Sequence, residues 1–132
     1  MRAVSQLAQR IGGKAGIRIK VEITGSPLAF GAETEGSLLM LIREALQNAV
    51  RHAAPQNVSV SLRFDRRSLQ VAIEDDGRGF DLAAEHSGDR HHYGLIGMQE
   101  RAEKLGGEFR LSSSPGKGTQ VRLSIPLASS AR

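Results

Sequence analysis

Apolar residues spaced two apart restrict this chain's fold more than any other feature. Ile17, Ile19, Val21 and Ile23 alternate with Arg18, Lys20 and Glu22. Val58, Val60, Leu62 and Phe64 alternate likewise, as do Leu69, Val71 and Ile73, and then Val121, Leu123 and Ile125. Successive side chains of a strand point to opposite faces, so each stretch reads as a strand buried on one side and wet on the other. Phe109 and Leu111 begin a further strand. A sheet with one apolar face needs a second layer to cover it. Leu38, Leu41, Ile42, Ala45, Leu46 and Ala49 supply one stripe, on a helix expected over residues 38–54, with Ser37 as candidate N-cap and Pro55 as stop. Leu95, Met98, Ala102 and Leu105 mark a second helix, ended by Gly106-Gly107. A weaker helical pattern, Val4, Leu7, Ala8 and Ile11, precedes a breaker at residues 12–16. Short turns between strands imply antiparallel neighbours. The expected fold is α/β: a two-layer sandwich with a mixed, mainly antiparallel sheet covered on one face by helices.

The 132 residues suit one domain, and 39% apolar with 24% charged residues is ordinary for a globular protein. We expect the end of a preceding helix or linker at 1–12, the domain proper at 13–127 and a tail at 128–132. Residues 25–36, with Pro27, read as loop. Residues 81–93, polar and without periodicity, read as a mobile loop. No apolar run approaches the roughly 20 residues that span a bilayer. Residues 1–11 lack the apolar block of a secretory leader. The absence of cysteine excludes disulfide scaffolds and Cys-ligated zinc. Net charge is +4 and the pI about 10.1. The 18 Lys and Arg residues are scattered without interleaved aromatics, so we expect a solvated basic surface and no nucleic-acid partner.

Four stretches carry chemistry. Opposite the apolar stripe of the first helix lie Glu44, Asn48, Arg51 and His52, stacked by spacings of three and four. An amide oxygen can ligate a hard cation such as Mg²⁺, a carboxylate can orient its water, and a guanidinium can neutralise phosphate. By itself such a face reads first as a solvated one. The run Asp75-Asp76-Gly77-Arg78-Gly79 follows a strand directly. Its glycines let backbone approach a flat ligand, and a carboxylate at the strand end can accept from an exocyclic amine such as that of adenine. Gly94 and Gly97 open a helix after the polar loop, where backbone N–H groups and the helix dipole favour anions. Gly116-Lys117-Gly118-Thr119 alone is a hairpin turn.

Taken in order over residues 37–127, these motifs resemble the ATP-binding domain of two-component sensor histidine kinases, nearest the subfamily that signals to nitrate-response-type regulators. The resemblance carries the wider group of gyrase, Hsp90 and MutL, and implies a Bergerat fold. It further implies that Asn48 ligates Mg²⁺ and that Glu44, one turn earlier, stands near the metal and γ-phosphate. Arg51 and His52 match positions near the phosphates. Asp75 matches the adenine-reading aspartate, with Gly77 and Gly79 lining the base pocket and Thr119 helping through water. Gly94 and Gly97 match lid-side glycines near the phosphates. Asp76 and Arg78 fill variable positions without a role.

The resemblance implies phosphoryl transfer from Mg-ATP to a histidine on a separate dimerisation domain, then relay to a response regulator. Of the four histidines, His52 lies in the nucleotide helix and His86, His91 and His92 in the polar loop, so none occupies an N-terminal helical hairpin. The chain is therefore expected to be a catalytic fragment, cytoplasmic, without direct membrane contact and monomeric by itself. Its parent would carry the hairpin and any membrane anchor. His91-His92 lacks a third ligand nearby for a metal site. Two rivals share the fold: an anti-sigma-factor-type serine kinase, and a nucleotide-binding module without catalysis.

Overall fold

The alternating stretches build one sheet, and the helical stripes cover it. The computed structural model describes residues 2–25, 31–53, 57–77 and 90–126. In chain order these form α1 (Arg2–Ala15), β1 (Arg18–Thr24), α2 (Ala32–Asn48), a π-helical turn (Ala49–Ala53), β2 (Asn57–Phe64), β3 (Ser68–Asp75), α3 (Arg90–Lys104), β4 (Glu108–Ser113) and β5 (Thr119–Pro126). The strand order is β1-β2-β3-β5-β4. β1 and β2 are parallel, which requires the crossover that α2 provides. The other neighbours are antiparallel. This is the expected two-layer sandwich with a mixed, mainly antiparallel sheet.

The register puts the apolar set on one face. Val60, Ile73 and Val121 form one row across β2, β3 and β5, and Leu62, Val71 and Leu123 the next. All six are buried. Leu38, Leu41, Ile42 and Leu46 of α2 pack over them, with Met98 and Ala102 of α3 and Val4 and Ala8 of α1. Each aliphatic side chain taken fully out of water contributes about 1.5–3 kcal/mol. The opposite face of the sheet is polar, with Ser61, Gln70, Glu74, Arg122 and Ser124 among its residues. Gln70 there donates to the Ser124 hydroxyl at 2.9 Å.

Three boundaries differ from expectation. α1 does not break at Gly12 but runs to Ala15, so the expected boundary after residue 12 falls inside a helix. Gly12 serves close packing instead: a Cβ there would stand 2.5 Å from the Ile17 carbonyl oxygen. The helix stops at left-handed Gly16, where the Ile17 N–H returns to the Gly12 carbonyl at 2.9 Å. α2 starts six residues before the apolar stripe. Its N-cap is Gly31, without a side-chain cap, and Ser37 lies inside the helix. Glu33 and Glu35 in the first turn favour this earlier start by facing the positive end of the helix dipole. α3 begins at Arg90, so the expected loop gives way to helix over its last four residues. Its end is as expected: the Gly107 N–H bonds the Ala102 carbonyl and the Gly106 N–H that of Glu103, both at 2.9 Å, the double closure of a Schellman motif.

Among the described residues no helix is long and apolar enough to cross a membrane.

Candidate functional site

The site grows from the C-terminal end of β3. Asp75 is the last residue of that strand, paired in register with Val58 of β2 and Thr119 of β5. The next two residues turn sharply, because the Gly77 N–H donates to Asp75 Oδ1 at 2.9 Å. Burial pushes the half-buried Asp75 carboxyl above its ordinary value of 3.8. The Gly77 and Thr119 backbone N–H groups pull it back down, and the neighbouring Asp76 charge adds to the rise. A carboxyl held this way keeps lone pairs for one further donor.

The β4–β5 turn closes against this carboxyl. Gly118 has φ +75°, and a Cβ on it would lie 2.1 Å from the Asp75 carbonyl oxygen, so only glycine fits there. The Ser113 hydroxyl donates to the Gly118 carbonyl at 3.0 Å and lies 2.9 Å from Thr119 Oγ1. A cleft of about 570 Å³ opens here, lined by Asp75, Ser113, Lys117, Thr119 and others. The turn motif therefore shapes the floor beside Asp75. Sequence reasoning missed Ser113, which no short motif marks.

The second half of the site is the end of α2. Asn48 is the last α-helical residue, and Glu44 stands one turn before it, half-buried. Among the described residues, Asn48 Nδ2 is the buried side-chain nitrogen or oxygen without a hydrogen-bond partner. Such a group carries a desolvation penalty of about 1–3 kcal/mol until something meets it. The helix then widens into the π turn that holds Arg51, exposed, and the backbone of His52. A π turn takes more residues per revolution, so Arg51 is rotated from the straight stack expected above Asn48. π turns recur at functional sites. Nothing in the sequence signalled this one.

Chain connectivity brings the two halves to one end of the domain. The π turn ends at Ala53, and β2 restarts at Asn57 beside the exit of β3. Four residues reach at most about 14 Å. There Asn57 and Asp76 make a triple contact. The Asn57 N–H donates to Asp76 Oδ1 at 2.8 Å, Asn57 Nδ2 donates to Oδ2 at 2.9 Å, and the Asp76 N–H donates to the Asn57 carbonyl at 3.2 Å.

Gly94 and Gly97 are not at a helix start. They sit in the first two turns of α3, whose leading N–H groups belong to residues 90–93. The polar run before Gly94 lacks apolar periodicity, which hid the added turn. Gly79, Arg78 and His86 lie outside the described residues.

Residues 33–129 match the family described as histidine kinase-, DNA gyrase B- and HSP90-like ATPase, and the chain belongs to that family. It is 36% identical to an uncharacterized sensor-like histidine kinase of Chloroflexus aurantiacus over 96% of this chain and 22% of that protein. It is 34% identical to the signal transduction histidine-protein kinase/phosphatase DegS of Brevibacillus brevis over 85% of this chain and 28% of that protein. The chain thus spans about a quarter of the length of these curated relatives. Among solved structures, the histidine kinase domain of the Erythrobacter litoralis EL346 blue-light activated histidine kinase matches with a TM-score of 0.73 and 30% identity, over 95% of this chain and 63% of that one. Within the family the chain is accordingly a kinase-type ATP-binding catalytic domain.

Proposed function

We propose that this domain binds Mg-ATP between the Asp75 strand end and the Asn48 helix end, and donates the γ-phosphate to a histidine on a separate phosphoacceptor domain for relay to a response regulator. The observation that carries the reading is the pairing of two unlike features at one end of the fold. One is a held carboxyl in a cleft, and the other is a buried amide without a partner.

Each side chain has a distinct task in this reading. Asp75 accepts from the exocyclic amine of adenine, and Thr119 supports it through water. Gly77 and Gly79 allow the ring to approach. The Asn48 amide is the group fit to hold Mg²⁺ through its oxygen, with its nitrogen left to donate to phosphate. When bound, Mg²⁺ neutralises phosphate charge as it develops. Glu44 orients water at the phosphates, and Arg51 and His52 offset their charge. Gly94 and Gly97 let α3 approach the phosphates closely. In transfer, the bond from the γ-phosphorus to its bridging oxygen breaks as a bond to an imidazole nitrogen forms, and ADP departs. The protein contributes positioning and charge stabilisation.

The partner in this reading is the histidine-bearing dimerisation domain of a longer parent, and this domain alone is a monomer in the cytoplasm. The test is titration calorimetry of Mg-ATP into the wild type and Asp75→Asn, followed by labelling of a histidine hairpin domain. Binding lost in the variant and acid-labile phosphate on the hairpin support the proposal. Acid-stable phosphate points to a serine acceptor. Tight binding without transfer to any acceptor refutes catalysis. Asn48→Ala is expected to remove the Mg²⁺ dependence of binding, and unchanged dependence sinks the metal assignment.

A further inference from the structure

The last regular pair of the β2–β3 hairpin is Val58 with Asp75. One step beyond, the strands do not simply separate. Asp76 turns back onto Asn57 and makes three hydrogen bonds with it, two through its carboxylate and one through its N–H. Asn57 offers two donors from one residue, its N–H and its Nδ2. A carboxylate on a one-carbon stem can take both at once. The backbone and the side chain of Asp76 are thereby fixed together.

That fixation bears on Asp75 and Gly77. The Gly77 N–H reaches Asp75 Oδ1 across Asp76, so the backbone angles of Asp76 decide whether that bond forms. Asn57 in turn follows the π turn that continues from Asn48, with three residues between the turn and Asn57. The contact is therefore a direct tie between the strand that presents Asp75 and the chain that leaves Asn48. It also has an opposing effect, because the charge on Asp76 adds to the rise of the Asp75 carboxyl. A neutral residue would avoid that repulsion but could not accept both Asn57 donors.

We propose that Asp76 is a positioning residue for nucleotide binding: by gripping Asn57 it sets the strand exit from which Asp75 and Gly77 meet the base. This rests on reading Asp75 as the adenine acceptor. Asp76 and Asn57 are both exposed, so water competes for these bonds and their share in global stability is small. Their effect falls on the geometry of the turn, and hence on affinity.

The experiment compares Asp76→Ala, Asp76→Asn, Asn57→Ala and the double alanine variant with the wild type. Mg-ATP is titrated calorimetrically, and Gly77 amide exchange is followed without nucleotide. Asp76→Ala is expected to weaken Kd about tenfold at unchanged stoichiometry. Asn57→Ala, which keeps its backbone donor, weakens it about threefold, and the double variant is no worse than Asp76→Ala. Asp76→Asn recovers most of the affinity, since its amide oxygen accepts one donor and a turned Asn57 amide meets the other group. The Gly77 amide exchanges faster in Asp76→Ala. A fall in binding-competent fraction with Kd unchanged makes the residue merely structural and overturns the proposal. So does unchanged Gly77 exchange. If the wild type does not bind Mg-ATP, the adenine reading fails, and the Gly77 exchange alone decides the positioning claim.

Discussion

At the strand end of the site, Asp75 holds the Gly77 N–H, Thr119 meets Ser113, and Gly118 lies against the Asp75 carbonyl. At the helix end, Asn48 keeps a buried nitrogen without a partner among the described residues, and the helix loosens into a π turn. The first region is shaped by its own hydrogen bonds. The second keeps one buried polar atom unmet among the described residues. A polar group that is satisfied stabilises the fold, whereas one left unmet is a burden that binding relieves. Under the proposed function, this difference makes base recognition preorganised and leaves phosphate recognition to be completed by the ligand.

Substitutions at the two ends should separate these roles. The largest effect is expected on binding from Asp75→Asn, which keeps the acceptor for Gly77 but turns a donor toward the base. We expect Kd for Mg-ATP to weaken at least thirtyfold, about 2 kcal/mol, by calorimetry. The same variant should not lose stability without nucleotide. The folded carboxyl titrates above its ordinary 3.8, so the folded form binds its proton more tightly than the unfolded one. That part of the stability is present below 3.8 and is lost as pH rises through the folded value, then stays flat. Asp75→Asn removes this loss, and urea unfolding between acid and neutral pH should show a flatter profile than the wild type.

On stability, the largest effect is expected at the strand-end turn. Gly118→Ala forces both a left-handed alanine and a clash with backbone, and should destabilise by about 3 kcal/mol in urea unfolding. Gly116→Ala shares the positive φ, +81°, but meets open space, so about 1 kcal/mol is expected. Equal losses would mean that the contact with Asp75 is not what requires glycine.

Asn48→Leu carries the opposite sign. It removes the unmet amide while keeping the branching and the number of side-chain heavy atoms, so stability without nucleotide should rise by about 1 kcal/mol while Mg-ATP affinity falls. A loss of stability would show that the amide is already satisfied and would break the comparison. The smallest effect is Thr119→Val, which loses the hydroxyl contact with Ser113 and should lower stability by about 0.5–1 kcal/mol.

How much of this was legible in sequence depended on periodicity. β2, β3 and β5 were readable because their alternation survives intact into burial, residue by residue. The start of α2 was hidden because Ala32–Ser37 lacks an apolar stripe, and the acidic residues that stabilise its first turn read as loop. The same polarity concealed the first turn of α3. Gly12 misled because its use is close packing against Ile17, a contact that spacing does not reveal. At the site, Asp75 and Thr119 were named from separate motifs, and the β3–β5 register is what makes them opposite each other. The π turn has no composition of its own. Asp76 passed as a variable position because its partner lies 19 residues away.

The sheet ends on two outer strands, β1 and β4, each bonded on one side only among the described residues. Unpaired strand margins are templates for adding a foreign strand, the first step toward aggregation. Here both margins carry charge at alternate positions: Arg18, Lys20 and Glu22 on one, Glu108 and Arg110 on the other. An incoming strand would have to lie beside these side chains and their hydration. Charge along both outer strands thus works against two such domains joining their sheets edge to edge.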